Sequence, residues 1–259
     1  MRSVVQSFRA HSAPVGDFSV LRALPQAKRR HVGPFVFLDH FGPTTVKEGR
    51  GIPAHPHAGI EVITYLFEGS QVHRDSLGNE NRVGAGGAQW ITAGRGIIHA
   101  EKPDVDTVIH GVQIWTSLPI AQKHIEPRYH GVQAEAVPEF NIGNATIRLL
   151  SGQLNNAVGP ITLAQPALLA HVKTTTETAI SVPAAFDMGL YHLTGQIDVL
   201  SEGDELLIPP GEYILLGGEP AEEPLLFGGP FVMDTPENLQ RAQRDYQNGI
   251  MGTLDSVPF

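Results

Sequence analysis

Short apolar runs alternate with turn-forming residues along most of the chain. Runs at 60–67, 89–92, 108–116, 145–150, 189–193, 197–200, 205–208 and 213–216 have the length of strands. Between them lie turn signals such as Ser76-Leu77-Gly78-Asn79, Gly84-Ala85-Gly86-Gly87, Glu202-Gly203-Asp204 and Pro209-Pro210-Gly211. Many short strands at regular spacing predict an all-β sandwich or barrel. One segment reads as helix instead. Thr235 can cap it, Pro236 suits the first helical position, and Gly249 can stop the chain after 237–247. A lesser helical turn is expected near 121–124.

The two halves look distantly alike. Glu68-Gly69-Ser70-Gln71-Val72 follows one apolar run, and Thr194-Gly195-Gln196-Ile197-Asp198-Val199 follows another. This weak repeat predicts two similar β-barrels in tandem, joined within 133–143. The expected domains are an N-terminal barrel over 1–135 and a C-terminal barrel with the helix over 136–259. The 28 glycines and 20 prolines make up roughly a fifth of the 259 residues, a turn-rich composition that suits this reading better than a helical bundle.

Charge and cysteine content narrow the function classes. A formal net charge of −9 disfavours a protein that tracks a phosphate backbone, so no direct nucleic-acid partner is expected. The basic cluster Lys28-Arg29-Arg30-His31 reads as an exposed loop edge. Cysteine is absent, which excludes disulfides, thiolate metal sites and cysteine nucleophiles. Arg2, Arg9 and His11 precede no apolar block, so no signal peptide is expected. The apolar stretch 149–172 is broken by Gly152, Asn155, Asn156, Gly159, Pro160 and Pro166 and is not expected to cross a bilayer. The expectation is a cytoplasmic protein with no membrane partner. Gly84-Ala85-Gly86-Gly87 lacks the third glycine and following helix of a nucleotide loop and reads as a β-turn.

The chemistry concentrates in 49–101. In an extended chain, residues two apart project to the same side. His55 and His57 therefore point together, and so do His99 and Glu101. Two such pairs on neighbouring strands would converge inside a small barrel. Left unpaired there, the groups would cost several kcal/mol each, on the order seen for buried charges. Three imidazoles and a carboxylate suit a divalent transition metal, not calcium or magnesium. Glu61 shares the parity of His55 and His57 in an extended chain, so spacing leaves Glu61 and Glu101 equal as fourth ligand. The bland alternative places one pair on a solvent-facing edge.

Gly49-x5-His55-x-His57-x3-Glu61 resembles the first cupin signature. Gly96-x2-His99 resembles the core of the second, with Gly94 where cupins usually carry proline. More specifically, Asp39-His40-Phe41-Gly42, His55-Pro56-His57-Ala58-Gly59, the run from Gln89 to Glu101, and Gly229-Pro230-Phe231-Val232-Met233-Asp234-Thr235 resemble the pirin family over nearly the whole chain. The resemblance implies a bicupin of two jelly-roll barrels with metal in the N-terminal one only. It implies iron(II) held by His55, His57, His99 and Glu101, and so favours Glu101 over Glu61. Such sites also accept Zn, Mn, Ni, Co or Cu. His171 and His192 stand singly in the second half and read as packed or surface residues.

Pirin-like proteins include quercetin 2,3-dioxygenases, so the resemblance implies cleavage of a small aromatic flavonol with O2. Glu101 is then the candidate catalytic residue, taking the proton of a substrate hydroxyl. The family also includes regulators, which implies the alternative of a metal-dependent, redox-sensing partner of a transcription factor or metabolic enzyme, without turnover. By the same analogy the chain is expected to be a monomer. Glu61, Arg95 and Gln113, with His73, are candidates to orient the ligands or line the entry. A core role is the default for Trp90 and Trp115, with one of them a candidate to line the pocket.

Overall fold

The computed structural model describes residues 1–16, 18–47, 50–104 and 107–254. Gly49, the first glycine of the cupin-like signature, lies outside the described residues. The described chain is nearly all β, with one α-helix, Pro236–Gln247, and single 3-10 turns at Ile120–Gln122 and Ala134–Ala136. Every apolar run named above lies in a strand, save that the run at 189–193 passes the end of Asp187–His192 by one residue. The run at 60–67 is the strand Ile60–Glu68, and that at 108–116 is Thr107–Ser117. The helix starts as its composition dictates. Thr235 is extended, its hydroxyl oxygen accepts from the Asn238 N–H, and Pro236 opens the first turn.

The chain forms two compact units whose segments interleave. One comprises Met1–Ser12, Leu21–His40 and Glu135–Ala221; the other comprises Ala13–Val20, Phe41–Ala134 and Glu222–Phe259. This differs from a single cut between residues 135 and 136. Strand Val4–Arg9 pairs with Gln196–Leu200 of the later half, and the helix packs near Ala58 and Ile98 of the earlier half. Each of these elements buries its apolar or hydrogen-bonding side on a partner distant in sequence, which spacing does not reveal.

In the first unit a seven-stranded antiparallel sheet runs in the order Val4–Arg9, Gln196–Leu200, Asp187–His192, Gly211–Gly218, Ala167–Thr174, Ala145–Ser151 and Glu139–Ile142. Its inward residues, among them Ile147, Leu149, Leu168, Leu190 and Leu215, form a hydrophobic core with Ile180 of the neighbouring strand Thr178–Ser181. His171 pairs with Glu212 at 2.9 Å and His192 with Asp198 at 2.7 Å. Neither joins a metal-ligating cluster among the described residues.

The second unit holds a four-stranded sheet in the order Ile52–His57, Ile97–Pro103, Ser70–Asp75 and Glu80–Gly84. It also holds most of a seven-stranded sheet in which Arg128–Val132, Ala88–Thr92, Ile60–Glu68 and Thr107–Ser117 are neighbours in that order. Gly84-Ala85-Gly86-Gly87 is the expected turn between two strands, closed by the Gly87 N–H on the Gly84 carbonyl. Two glycines are required where the chain passes between strands. Gly59 has φ +75°, and a Cβ there would meet the Val232 carbonyl at 2.2 Å. Gly94 has φ +50°, and its Cβ would meet the Ile125 carbonyl at 2.0 Å. A proline, fixed near φ −65°, cannot take the Gly94 conformation, which accounts for the departure from the cupin pattern.

Candidate metal centre

Register decides which side chains meet. His99 lies directly across from His55 on one side and from Asp75 on the other. Glu101 lies across from Ile52 and from His73. The pairing with Ile52–His57 shifts between His99 and Glu101, so strand Ile52–His57 carries one extra residue there. Ring centres of His55 and His57 are 5.0 Å apart, those of His55 and His99 4.3 Å, and those of His57 and His99 5.0 Å. One ligand nitrogen from each of the three lies within 4.8 Å of the other two. A second set, His73, His99 and Glu101, meets the same criterion and shares His99. His57, His73, His99 and Glu101 are buried, and His55 is partly exposed.

Two of the three rings are oriented by backbone carbonyls. Nδ1 of His55 contacts the Pro53 carbonyl at 2.8 Å, and Nδ1 of His57 contacts the Pro230 carbonyl at 3.3 Å. Both contacts direct Nε2 as the free nitrogen. Nε2 of His57, both ring nitrogens of His99 and Nδ1 of His73 are buried with no hydrogen-bond partner. A buried polar atom left so costs about 1–3 kcal/mol, and a cation placed among lone-pair nitrogens removes that cost. The donor set of imidazoles and one carboxylate fits a transition metal by softness and charge.

Glu101 is held from the opposite sheet. Thr64 Oγ1 donates to its Oε1 at 3.3 Å and Gln113 Nε2 to its Oε2 at 3.2 Å. Gln113 in turn accepts from Trp115 Nε1 at 3.2 Å, and the Trp115 ring lies 5.0 Å from that of His57. Gln113 and Trp115 therefore sit at the cluster. Glu61 does not join either ligand set. It pairs across strands with Thr92 and Thr116 and accepts from Trp90, Thr92 and Thr116 at 3.2, 3.5 and 3.1 Å. Residues alternate along strand Ile60–Glu68, so Glu61 faces away from the side on which Thr64 reaches Glu101. Arg95 is also remote in role. It is exposed and bound through Nε to both oxygens of Glu126, at 2.9 and 3.0 Å.

Burial pushes the imidazoles of His57 and His99 well below 6.5 in the metal-free protein, reinforced by the neighbouring histidines. The folded chain keeps them neutral, whereas the unfolded chain protonates them as pH falls below 6.5. Below that value the unfolded state binds more protons, and stability declines with acidification. Urea midpoints of metal-free protein are expected to fall from pH 7 to pH 5, with a shallower fall in His57→Ala.

Comparison with known proteins agrees with this architecture. The Pirin family profile matches residues 17–116, and the profile described as the Pirin C-terminal cupin domain matches 168–252. Human Pirin is 31% identical over 94% of this chain and 91% of its own. A Pirin-like protein of Solanum lycopersicum is 30% identical over 97% and 93%. The crystal structure of quercetin 2,3-dioxygenase from Acinetobacter baumannii superposes with a TM-score of 0.91 at 28% identity, covering 99% of this chain and 93% of that one. With two cupin-like units, a buried His-Glu cluster and relatives aligned along nearly its whole length, the chain belongs to the pirin family.

Proposed function

We propose that this protein is a metal-dependent dioxygenase that cleaves quercetin-like flavonols with O2, using iron(II) held by His55, His57, His99 and Glu101. The observation that carries the reading is the convergence of three imidazoles, two of them buried with unsatisfied nitrogens, beside one carboxylate. The likeness to the Acinetobacter baumannii enzyme supports the substrate class. When bound, iron(II) supplies Lewis acidity toward a substrate hydroxyl and redox chemistry with O2.

The protein's own groups complete the task. Glu101 accepts the proton of the substrate hydroxyl at a carboxylate oxygen. Thr64 and Gln113 hold that carboxylate from two sides. Trp115, packed on His57, offers an apolar wall to an aromatic ring. The test is to load the protein anaerobically with iron(II), add quercetin and O2, and follow flavonol absorbance and carbon monoxide. Turnover with carbon monoxide release is expected. No turnover at full iron occupancy would instead favour the regulatory reading. Glu101→Gln is expected to lower turnover by about 100-fold, the low end for loss of a positioned base, as measured at matched iron content.

A further inference from the structure

His73 and Asp75 form a built pair beside the cluster for which the proposed reaction has no use. Nε2 of His73 lies 2.9 Å from Asp75 Oδ2. Asp75 is itself pinned by the backbone N–H groups of Leu77 and Asn79 and by the Asn79 side chain. Those bonds, with the contact to His73, keep its carboxyl below the usual range despite burial, so it is an ionised acceptor. On one face the His73 ring stacks on Tyr129, with centres 3.9 Å apart and planes 8° from parallel. The imidazole is wholly buried, held at Nε2 by Asp75 and on one face by Tyr129. With its Nε2 proton given to Asp75, Nδ1 is a lone pair, and it has no hydrogen-bond donor.

His73 belongs to the set that includes His99 and Glu101, with the ring centres of His73 and His99 5.4 Å apart. His55 and His57 each rest Nδ1 on a backbone carbonyl. His99 has no such acceptor, and its Nδ1 is 4.0 Å from Glu101, too far for a hydrogen bond. In the structure neither Nδ1 of His73 nor Nδ1 of His99 has a partner. We infer that His73, fixed by Asp75, is the positioning residue for His99: with the metal bound these two nitrogens pair, His73 accepting the Nδ1–H of His99 and so leaving Nε2 as that ring's lone-pair nitrogen. The arrangement is the carboxylate–histidine support that orients metal-ligating imidazoles, extended by one ring. The inference rests on His99 being a ligand in the proposed centre.

The test uses the full chain loaded with zinc(II), a diamagnetic probe. Long-range proton–nitrogen NMR on 15N-histidine protein reports the tautomer of each ring. His99 is expected as the Nδ1–H form with a slowly exchanging, low-field proton, and His73 as the Nε2–H form. His73→Phe keeps a ring against Tyr129; it should erase the low-field His99 signal and weaken zinc binding about 10–100-fold in chelator competition. Asp75→Asn reads the same resonance should the phenylalanine variant not fold. An unchanged His99 proton and zinc affinity within about twofold in either folded variant overturns the inference. Loss of zinc from the unaltered protein, or its retention in His99→Ala, would strike the centre itself instead.

Discussion

His99→Ala is expected to abolish stoichiometric metal binding and, with it, turnover. His99 is the one side chain common to both ligand sets, and it is fully buried between His55, His57 and His73. Changes to groups that merely support a ligand cost about 10–100-fold in affinity, so loss of this shared ligand should exceed about 100-fold. Its stability effect is expected to be smaller than that of most core truncations. The imidazole brings two unsatisfied nitrogens into the interior, and alanine removes them along with packing. Metal-free variant and metal-free parent should therefore melt close together, whereas added iron should raise the melting temperature of the parent alone. Metal analysis and calorimetry check both halves. One equivalent of iron in His99→Ala, or a metal-induced rise in its melting temperature, would defeat the assignment.

Lys123→Met is expected to destabilise the fold by about 3 kcal/mol, on the scale of a lost charged hydrogen bond in the interior. In a chain of this size that is roughly 6–12 °C in melting temperature. Lys123 is 1% exposed and its ammonium donates to three oxygens: Gly59 O at 3.0 Å, Ser117 Oγ at 2.7 Å and Val232 O at 2.9 Å. Methionine keeps the volume and loses every donor. Burial lowers the Lys123 amine to about 8, with Asp234 and Glu222 opposing the shift. Between pH 8 and 10.5 the unfolded chain therefore holds the extra proton, and the lysine protein gains stability relative to the variant as pH rises. The same ammonium ties the Gly59 turn to Val232, two residues beyond the carbonyl on which His57 rests. Metal affinity of the variant should fall too. Denaturant titrations of both proteins at pH 7, 9 and 10.5 test the size and the sign.

The candidate pairs were legible because each lies within a single strand, where a spacing of two residues survives folding. His55 with His57, and His99 with Glu101, needed no knowledge of register. Gln113 could be placed near them only by its strand, and the hydrogen bond to Glu101 gives it a role. Glu61 shows where parity stops informing. The turn at Ala58-Gly59 carries the chain from one sheet to another, and the alternation begins afresh on the far side. Arg95 follows a second positive-φ glycine and turns outward to Glu126 for the same reason. His73-x-Asp75 carries the same two-residue signal as the ligand pairs, yet its place opposite Glu101 and His99 depends on strand pairing, and its stacking partner Tyr129 is remote in sequence. The tandem β architecture was readable from turn spacing. The exchange of end segments between the units was not, because nothing local in Val4–Arg9 or in the helix marks its distant partner.

The carbonyl of Pro230 has a practical bearing on how this protein can be dissected. A fragment stopping at residue 134 would contain every histidine and glutamate of the cluster, yet the peptide group that steers the His57 ring would be missing. Gene truncations meant to isolate the metal barrel must therefore retain the tail, or supply it as a separate peptide.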